Sequence, residues 1–560
     1  MKLKSVISST ITGALTLPLF ATQTSEKPNI ILILADDMGY SDIGCYGGEI
    51  QTPNIDRLAA EGIRYTQFYN AARSCPTRAS LMTGLYPHQA GMGWMTVANL
   101  GTPQYQGELN KKCLTIAEVL KSAGYATYMS GKWHLTRNYD ETQSAEKHNW
   151  PLQRGFDRFF GTIPGGGNYY TPNGLATGNT IIKAKQPFYY TEAISDSAVG
   201  FIRENVSAKK RKPFFMYVAY TAPHWPLHAK PADIQKYKGR YDKGWDVLRE
   251  ERYERMKKMG IIPENTVFPA RNEDAAAWYT IPKRLQPELA HRMEVYAAQI
   301  DNMDQGIGRI LAELEKSNQM DNTIILFLSD NGACAEMITN ENQTAEIGTK
   351  ETFESYGLAW ANASNAPFQM FKHWTHEGGI ATPMIVHWPK VIKPENQGKF
   401  WNKPAHLVDI MATFVEVGKA DYAGLMKKNK EIQALEGQSL TSTFQLADNN
   451  RKPIFWEHEA NIGMRDGKWK MVAKTKEGDA NIGKLELYDI DADRSECNDL
   501  SAKYPELTKK MYDEWLVWAN RIGVFPLDAR EYNERARASR KNEEQIWQKR
   551  KEDNQKLNQK

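Results

Sequence analysis

Three apolar runs in this chain end abruptly in clustered polar side chains, and that feature narrows the folds open to it. NIILILADD closes on Asp36 and Asp37, KPFFMYVAYTAPHWP runs into His224, and TIILFLSDNG stops at Asp330 and Asn331. A strand that is apolar at every position has to be covered on both faces, the setting of a parallel sheet between helical layers. A fourth run, ATYMSGKWHL, leads into Lys132 and His134 in the same way. Sheets of that kind gather ligands at the carboxyl ends of their strands. Asp36, Asp37, Lys132, His134, His224, Asp330 and Asn331 all fall there, so the pattern predicts one polar site along one sheet edge.

The segments between the strands carry helix signals. TPNIDRLAAEG offers Thr52 as N-cap, Pro53 at the first helical position and Gly62 as a stop, and LTIAEVLKSAG repeats the arrangement with Thr115 as cap. An apolar period of three to four residues predicts a long helix from Pro287 to about Lys316. Strands alternating with helices give an α/β class with a mixed, largely parallel sheet flanked by helices. Beyond residue 440 the pattern changes to short alternating runs (IFWEHEA, WKMVAKT, KLELYDI) separated by turn residues, which predict a smaller antiparallel sheet. A helix from Pro505 to Ile522 is expected to pack on it.

With 560 residues and 41% apolar content the chain can bury more than one core. The reading divides it into an export signal over 1–24, a main domain over 25–440, a small α+β subdomain over 441–530 and a charged tail over 531–560, read as a solvated helix or a frayed end. The signal rests on Lys2 and Lys4, followed by an apolar run of about 16 residues, short of the ~20 that span a bilayer. Cleavage is expected near Ala21 to Thr24, with export to the periplasm or beyond. No later stretch is long and apolar enough for a membrane helix. Seventy-one basic residues against 67 acidic ones leave a net charge of +4, which argues against a nucleic-acid partner. The five cysteines are scattered without metal-type spacing, and no disulfide is assigned.

The segment SCPTRASLMTG, Ser74 to Gly84, resembles the activation signature of the type I sulfatases, in its serine form. In that frame the modified residue lies two before the proline. That residue is Ser74, with Cys75 in a variable place. Pro76, Arg78, Thr83 and Gly84 match, while Thr77 and Met82 replace the more common Ser and Leu. LADDMGYSDIGCYGG, GKWHL, RGFDRFFG, TAPHWP, SDNG and HEGGIATP are similar to sulfatase segments and stand in sulfatase order. HWPLHAKPADIQKYKGRYDKGWDVLREERYERMKKMGI is similar to the bacterial arylsulfatase branch.

The resemblance implies an alkaline-phosphatase-like fold and a hydrolase that releases sulfate from a sulfate monoester. It implies that Ser74 is oxidised to an aldehyde, formylglycine, whose hydrate is the nucleophile. A plain serine would be left as a stable sulfo-serine; a gem-diol expels sulfate by collapsing to the aldehyde, a form of covalent catalysis. Asp36, Asp37, Asp330 and Asn331, joined by Ser74, form an oxygen donor set that suits Ca²⁺, with Mg²⁺ second. Singly, an Asp at a strand end is more often a cap or turn residue; as a set the four outweigh that reading. Lys132 and Lys372 correspond to the family's sulfate-binding lysines, and Arg78 would hold the hydrated aldehyde and link it to the metal site. His224 corresponds to the acid that protonates the departing alcohol and His134 to the base of the elimination. His228, His373 and His376 are weaker candidates for substrate contacts.

The serine form further implies maturation by a radical S-adenosylmethionine enzyme in an anaerobic or facultative bacterium. A sulfated glycan, galactose-type among the options, is then the expected natural ester, with aryl sulfates as surrogates. Two alternatives stand beside this. A phosphate or phosphonate ester hydrolase of the same superfamily is one, although Asn331 stands where a two-zinc site would carry a histidine. A sulfated-glycan-binding protein that has lost its chemistry is the other. The pocket walls are expected from the loop IPGGGNYYTP and from the polar insertion between Trp225 and Pro282.

Overall fold

The computed structural model describes residues 27–137, 147–339, 344–476, 478 and 481–541. The expected export signal lies outside them, as does the end of the charged tail. The main sheet is built from β1 (Asn29–Asp36), β2 (Ile63–Tyr69), β3 (Ala126–Gly131), β4 (Arg158–Thr162), β5 (Leu175–Thr177), β6 (Thr180–Ile181) and β7 (Phe214–Pro223). β8 (Thr323–Ser329), β9 (Ala381–His387), β10 (Lys399–Trp401) and β11 (Ala405–His406) complete it. The order is β10-β2-β9-β8-β1-β7-β3-β4-β5-β6, with β11 alongside β2. The four central neighbours β8, β1, β7 and β3 are parallel. β9 is antiparallel to both its neighbours, as β5 is to β4 and β6.

β1 shows why the central strands are apolar throughout. Ile31, Ile33 and Ala35 point into one core and Ile30, Leu32 and Leu34 into the other. Successive side chains alternate between faces, and here each face is covered by helices. The 31-residue helix Gln286–Lys316 packs with helix Tyr190–Ser207 on the first face. Helices Ser74–Thr83, Ile116–Ser122 and Val408–Val417 cover the second.

Thr115 caps its helix as the spacing predicts. Its hydroxyl accepts from Glu118 N at 3.1 Å, and Glu118 returns a carboxylate to Thr115 N at 2.6 Å. Thr52 does not cap: the helix begins at Pro53, but the Thr52 hydroxyl accepts from Gly44 N and donates to Asp56. A tertiary partner there replaced the local one.

The smaller sheet is antiparallel and runs β12 (Ile454–His458), β13 (Asn461–Asp466), β14 (Trp469–Ala473), β15 (Leu485–Asp489). Helix Pro505–Ile522 seats Met511, Trp515 and Trp518 on it. The two sheets are tied by buried ion pairs: Lys470 reaches Glu377 and Glu496 at 2.8 Å each, and Arg494 reaches Glu377 at 2.8 Å.

Two expectations about the surface change. The insertion after Trp225 does not wall the strand ends beyond Trp225 itself; its helix Gly244–Lys258 is anchored by buried Arg252 on Asp42 and Glu49. The charged tail is not wholly solvated. Residues 532–541 are helical, and Arg535 is only 3% exposed.

Candidate active site

Because β8, β1, β7 and β3 are parallel neighbours, their carboxyl ends meet at one edge. Asp36 ends β1, Lys132 and His134 follow β3, His224 follows β7, and Asp330 and Asn331 follow β8. All six are buried there. Ser74 arrives from the other side as the first residue of helix Ser74–Thr83, every residue of which is buried. Pro76 sits within the first turn, where the missing N–H would have had no intrahelical partner. Arg78, one turn on, shares the face of Ser74. Gly84 closes the helix at φ 68°, and a Cβ there would meet Met411 at 2.7 Å.

The Ser74 hydroxyl lies 3.2 Å from Asp36 Oδ1 and 3.3 Å from Asn331 Oδ1. Asn331 Nδ2 donates to Asp37 Oδ1 at 2.6 Å, and Asp37 N donates to Asp330 Oδ1 at 3.1 Å. Asp37 holds φ at 64°, a strained setting for a residue with a side chain. Buried cations surround the carboxylates. Lys132 meets Asp36 at 2.5 Å, Lys372 meets Asp37 at 2.9 Å, and Arg78 spans Asp330 at 3.1 Å and Asp36 at 3.4 Å. Arg78 donates further to Lys132 O and to the Tyr217 hydroxyl. Its side-chain partners are thus the carboxylates beside Ser74, and no side-chain hydrogen bond from Arg78 to the Ser74 hydroxyl is present among the described residues.

Burial opposes charge on Asp36, but Lys132 and Arg78 hold its carboxyl well below the usual range. Asp330 goes the other way, pushed up to about 7 by burial and then by the neighbouring Asp36 charge. Carboxylates crowded this way with amide and hydroxyl oxygens are what a hard divalent cation relieves, so Asp36, Asp37, Asp330, Asn331 and Ser74 fit such an ion. His224 Nε2 approaches the same group, 3.4 Å from Asp37 Oδ2.

The histidines separate by partner. His224 Nδ1 faces the Trp225 carbonyl at 2.6 Å, so that nitrogen carries the proton and Nε2 is the one left to exchange. His134 sits at φ 56° with Nε2 3.2 Å from Cys75 Sγ and not on the Ser74 hydroxyl. Burial, then Lys132, keeps it well below the ordinary imidazole range. Of the three weaker candidates only His373 borders the cavity. His228 is fully buried, donating from Nε2 to Thr352 O at 2.7 Å and accepting from Tyr169 N. His376 is buried against Glu486.

Above these groups opens a cavity of about 850 Å³. Ser74, Lys132, His134, His224 and Lys372 face it, with Gly165 and Gly166 from the expected glycine loop. Of the insertion only Trp225 reaches it. Sequence reasoning missed Arg73, Glu336, Glu459, Tyr532 and Arg535, which also line it. Glu459 stands at the end of the alternating run IFWEHEA, which signals only a strand, and the other four stand in no periodic segment or motif.

A family model described as Sulfatase matches residues 28–420. An uncharacterized sulfatase of Schizosaccharomyces pombe is 33% identical over 541 residues, covering 89% of this chain and 95% of that protein. An arylsulfatase of Klebsiella aerogenes is 34% identical over 447 residues, covering 74% and 92%. Among solved structures, Ps i-CgsB in complex with k-i-k-neocarrahexaose superposes with a TM-score of 0.66 at 27% identity, covering 91% of this chain and 96% of that one.

Proposed function

The chain belongs to the sulfatase family, and on that premise we propose that Ser74, oxidised to formylglycine, is the nucleophile with which this hydrolase cleaves a sulfate monoester. The observation that carries the reading is the place of the Ser74 oxygen, 3.2 and 3.3 Å from two oxygens of a buried acidic set and flanked by two buried lysines. The aldehyde hydrate supplies an attacking oxygen and a second hydroxyl whose deprotonation expels sulfate. A divalent cation held by Asp36, Asp37, Asp330, Asn331 and Ser74 would polarise a sulfate oxygen, and the all-oxygen set favours Ca²⁺ over Mg²⁺.

The protein's own groups divide the remaining work. Lys132 and Lys372 place fixed cations where charge builds on the sulfate, and neither reorganises when the bond breaks, because each is already locked on a carboxylate. His224, with Nδ1–H committed to Trp225 O, delivers the proton from Nε2 to the departing alcohol. His134 takes the proton in the elimination, and its neutrality suits a base. Arg78 acts beneath the nucleophile by holding Asp36 and Asp330 apart and in place. Residues 25–440 supply this machinery, and the subdomain over 441–530 adds Glu459 to the cavity wall.

The natural ester is proposed to be a sulfated saccharide, a galactose-type hexose sulfate among them, with aryl sulfates as surrogates. The arylsulfatase relative and the carbohydrate-bound neighbour both support that range. Periplasmic or secreted placement and maturation by a radical S-adenosylmethionine enzyme belong to the same reading. Among the described residues no helix is long and apolar enough to cross a membrane.

The test is the mass of the tryptic peptide Ser74 to Arg78 from protein made together with such a maturation enzyme. Loss of two hydrogens, located by fragmentation at Ser74, is expected. An unmodified serine in active enzyme would remove the aldehyde from the reading. Release of sulfate from aryl esters but from no member of a broad saccharide panel would remove the glycan.

A further inference from the structure

The cavity is larger than a sulfate needs. At about 850 Å³ it has the size of a pocket for a whole small ligand, so much of it faces the alcohol part of the ester. Its outer wall does not come from the main sheet. Ala529, Arg530, Tyr532 and Arg535 supply it, from the segment after helix Pro505–Ile522.

One carboxylate locks that segment in place. Glu459, in the turn between β12 and β13, accepts on Oε1 from Trp94 Nε1 at 2.5 Å and from Arg535 Nη1 at 2.8 Å. Its Oε2 faces His373 Nδ1. Asn461 sets the direction of that last bond. Its Oδ1 accepts from Thr475 N, so its amide nitrogen donates to His373 Nε2, which leaves the imidazole proton on Nδ1, pointing at Glu459. Glu459 and His373 are thus joined in a hydrogen-bond hub, with His458 Nε2 4.0 Å from Glu459 Oε1. Arg535 also lies 4.6 Å over the Trp94 ring, and Ser539 accepts from Asn99 N at 2.6 Å. His373, Glu459 and Ala460 all hold positive φ (96°, 52° and 63°), strain that persists where the surroundings dictate it and that gathers at functional sites. His373 is the neighbour of Lys372, so the hub connects the sulfate end of the cavity to the helix at its mouth.

Tyr532 is different from the residues that hold the helix. Its ring touches Trp94 edge-on at 5.6 Å and remains 47% exposed at the cavity. Arg530 beside it is braced on Asp528 at 2.9 and 2.6 Å, which fixes the plane of its guanidinium at the rim.

We propose that helix 532–541 is the wall that reads the alcohol part of the substrate, and that Tyr532 is a specificity-determining platform on which a saccharide ring stacks. The inference rests on the sulfatase reading and adds to it which residues select the ester. The C–H face of a pyranose packs on an aromatic ring, and a braced guanidinium at the same rim offers paired donors to its hydroxyls. Tyr532 is exposed, so its replacement leaves the fold intact.

The experiment uses full-length enzyme in which the Ser74 aldehyde has been verified by mass, with a panel of sulfated mono- and disaccharides and with 4-nitrophenyl sulfate. For Tyr532→Ala, KM on the best saccharide sulfate is expected to rise about three- to tenfold, the range of one aromatic contact, with the change in KM and not in kcat. Tyr532→Phe and Tyr532→Trp, which keep the ring, should restore KM. An unchanged KM in Tyr532→Ala overturns the platform. A rise on 4-nitrophenyl sulfate equal to that on the saccharide overturns the saccharide assignment. Wild-type enzyme that carries the aldehyde and hydrolyses no sulfate ester overturns the sulfatase reading, and this inference with it.

Discussion

The three glycines after Pro164 give a graded test of the site. A Cβ added at Gly165 would lie 2.3 Å from His134 Cε1 and 2.4 Å from its Nε2; at Gly166 it would lie 3.3 Å from His224 Cε1; at Gly167 it would meet Asn173 N at 3.7 Å. None of the three has a positive φ, so alanine adds no backbone strain at any of them. Ordinary contact begins near 3.4 Å. Gly165→Ala therefore forces the imidazole of His134 back by about 1 Å, a displacement that costs on the order of a hundredfold when it falls on a catalytic group. Gly166→Ala asks His224 for a few tenths of an ångström and should cost a few-fold. Gly167→Ala should be close to neutral. The assay is sulfate release by matured enzyme, with kcat and KM measured separately and the melting temperature as control. A double-mutant cycle identifies the route: in a His134→Ala background, Gly165→Ala should cost nothing further, because the group it displaces is gone. Full turnover in Gly165→Ala, a larger loss at Gly167, or additive losses in the cycle would refute the reasoning.

Asp330→Ala should abolish turnover together with bound divalent metal, read by elemental analysis of the purified protein; normal metal content would remove Asp330 from the ligand set. Lys470→Met leaves Glu496 buried without its cation and Glu377 with Arg494 alone, a change worth about 3–5 kcal/mol of stability; a melting temperature within a degree or two of wild type would contradict it. His228 is neutral in the fold, its pKa lowered to about 4 by burial against about 6.5 unfolded. The unfolded chain then binds the extra proton between those values, so its contribution is complete above pH 6.5 and is lost as pH falls toward 4, by about 3 kcal/mol. His228→Gln, able to donate to Thr352 O and accept from Tyr169 N, should flatten that part of the stability profile. Parallel profiles for the two proteins would show that His228 titrates normally.

The sequence by itself determined the parts of this protein whose causes are local. Unbroken apolar strands such as NIILILAD require cover on both faces, and Thr115 with Glu118 makes a capping box from residues three apart. The order of strands and helices placed Asp36, Lys132, His224 and Asp330 at strand ends, and a parallel sheet brings such ends together wherever they lie along the chain. Only the tertiary structure decided the partners. It set Arg78 on two carboxylates, set His134 on Cys75, and buried His228 behind the site. It left the insertion after Trp225 out of the cavity wall and brought Tyr532 and Arg535 from a polar tail to the cavity mouth. The physical reason is the same in each case. Periodicity and capping are fixed within a turn or two of chain, whereas one ion pair such as Arg535 with Glu459 depends on how segments far apart in sequence are packed, and nothing in either residue's own neighbourhood encodes it.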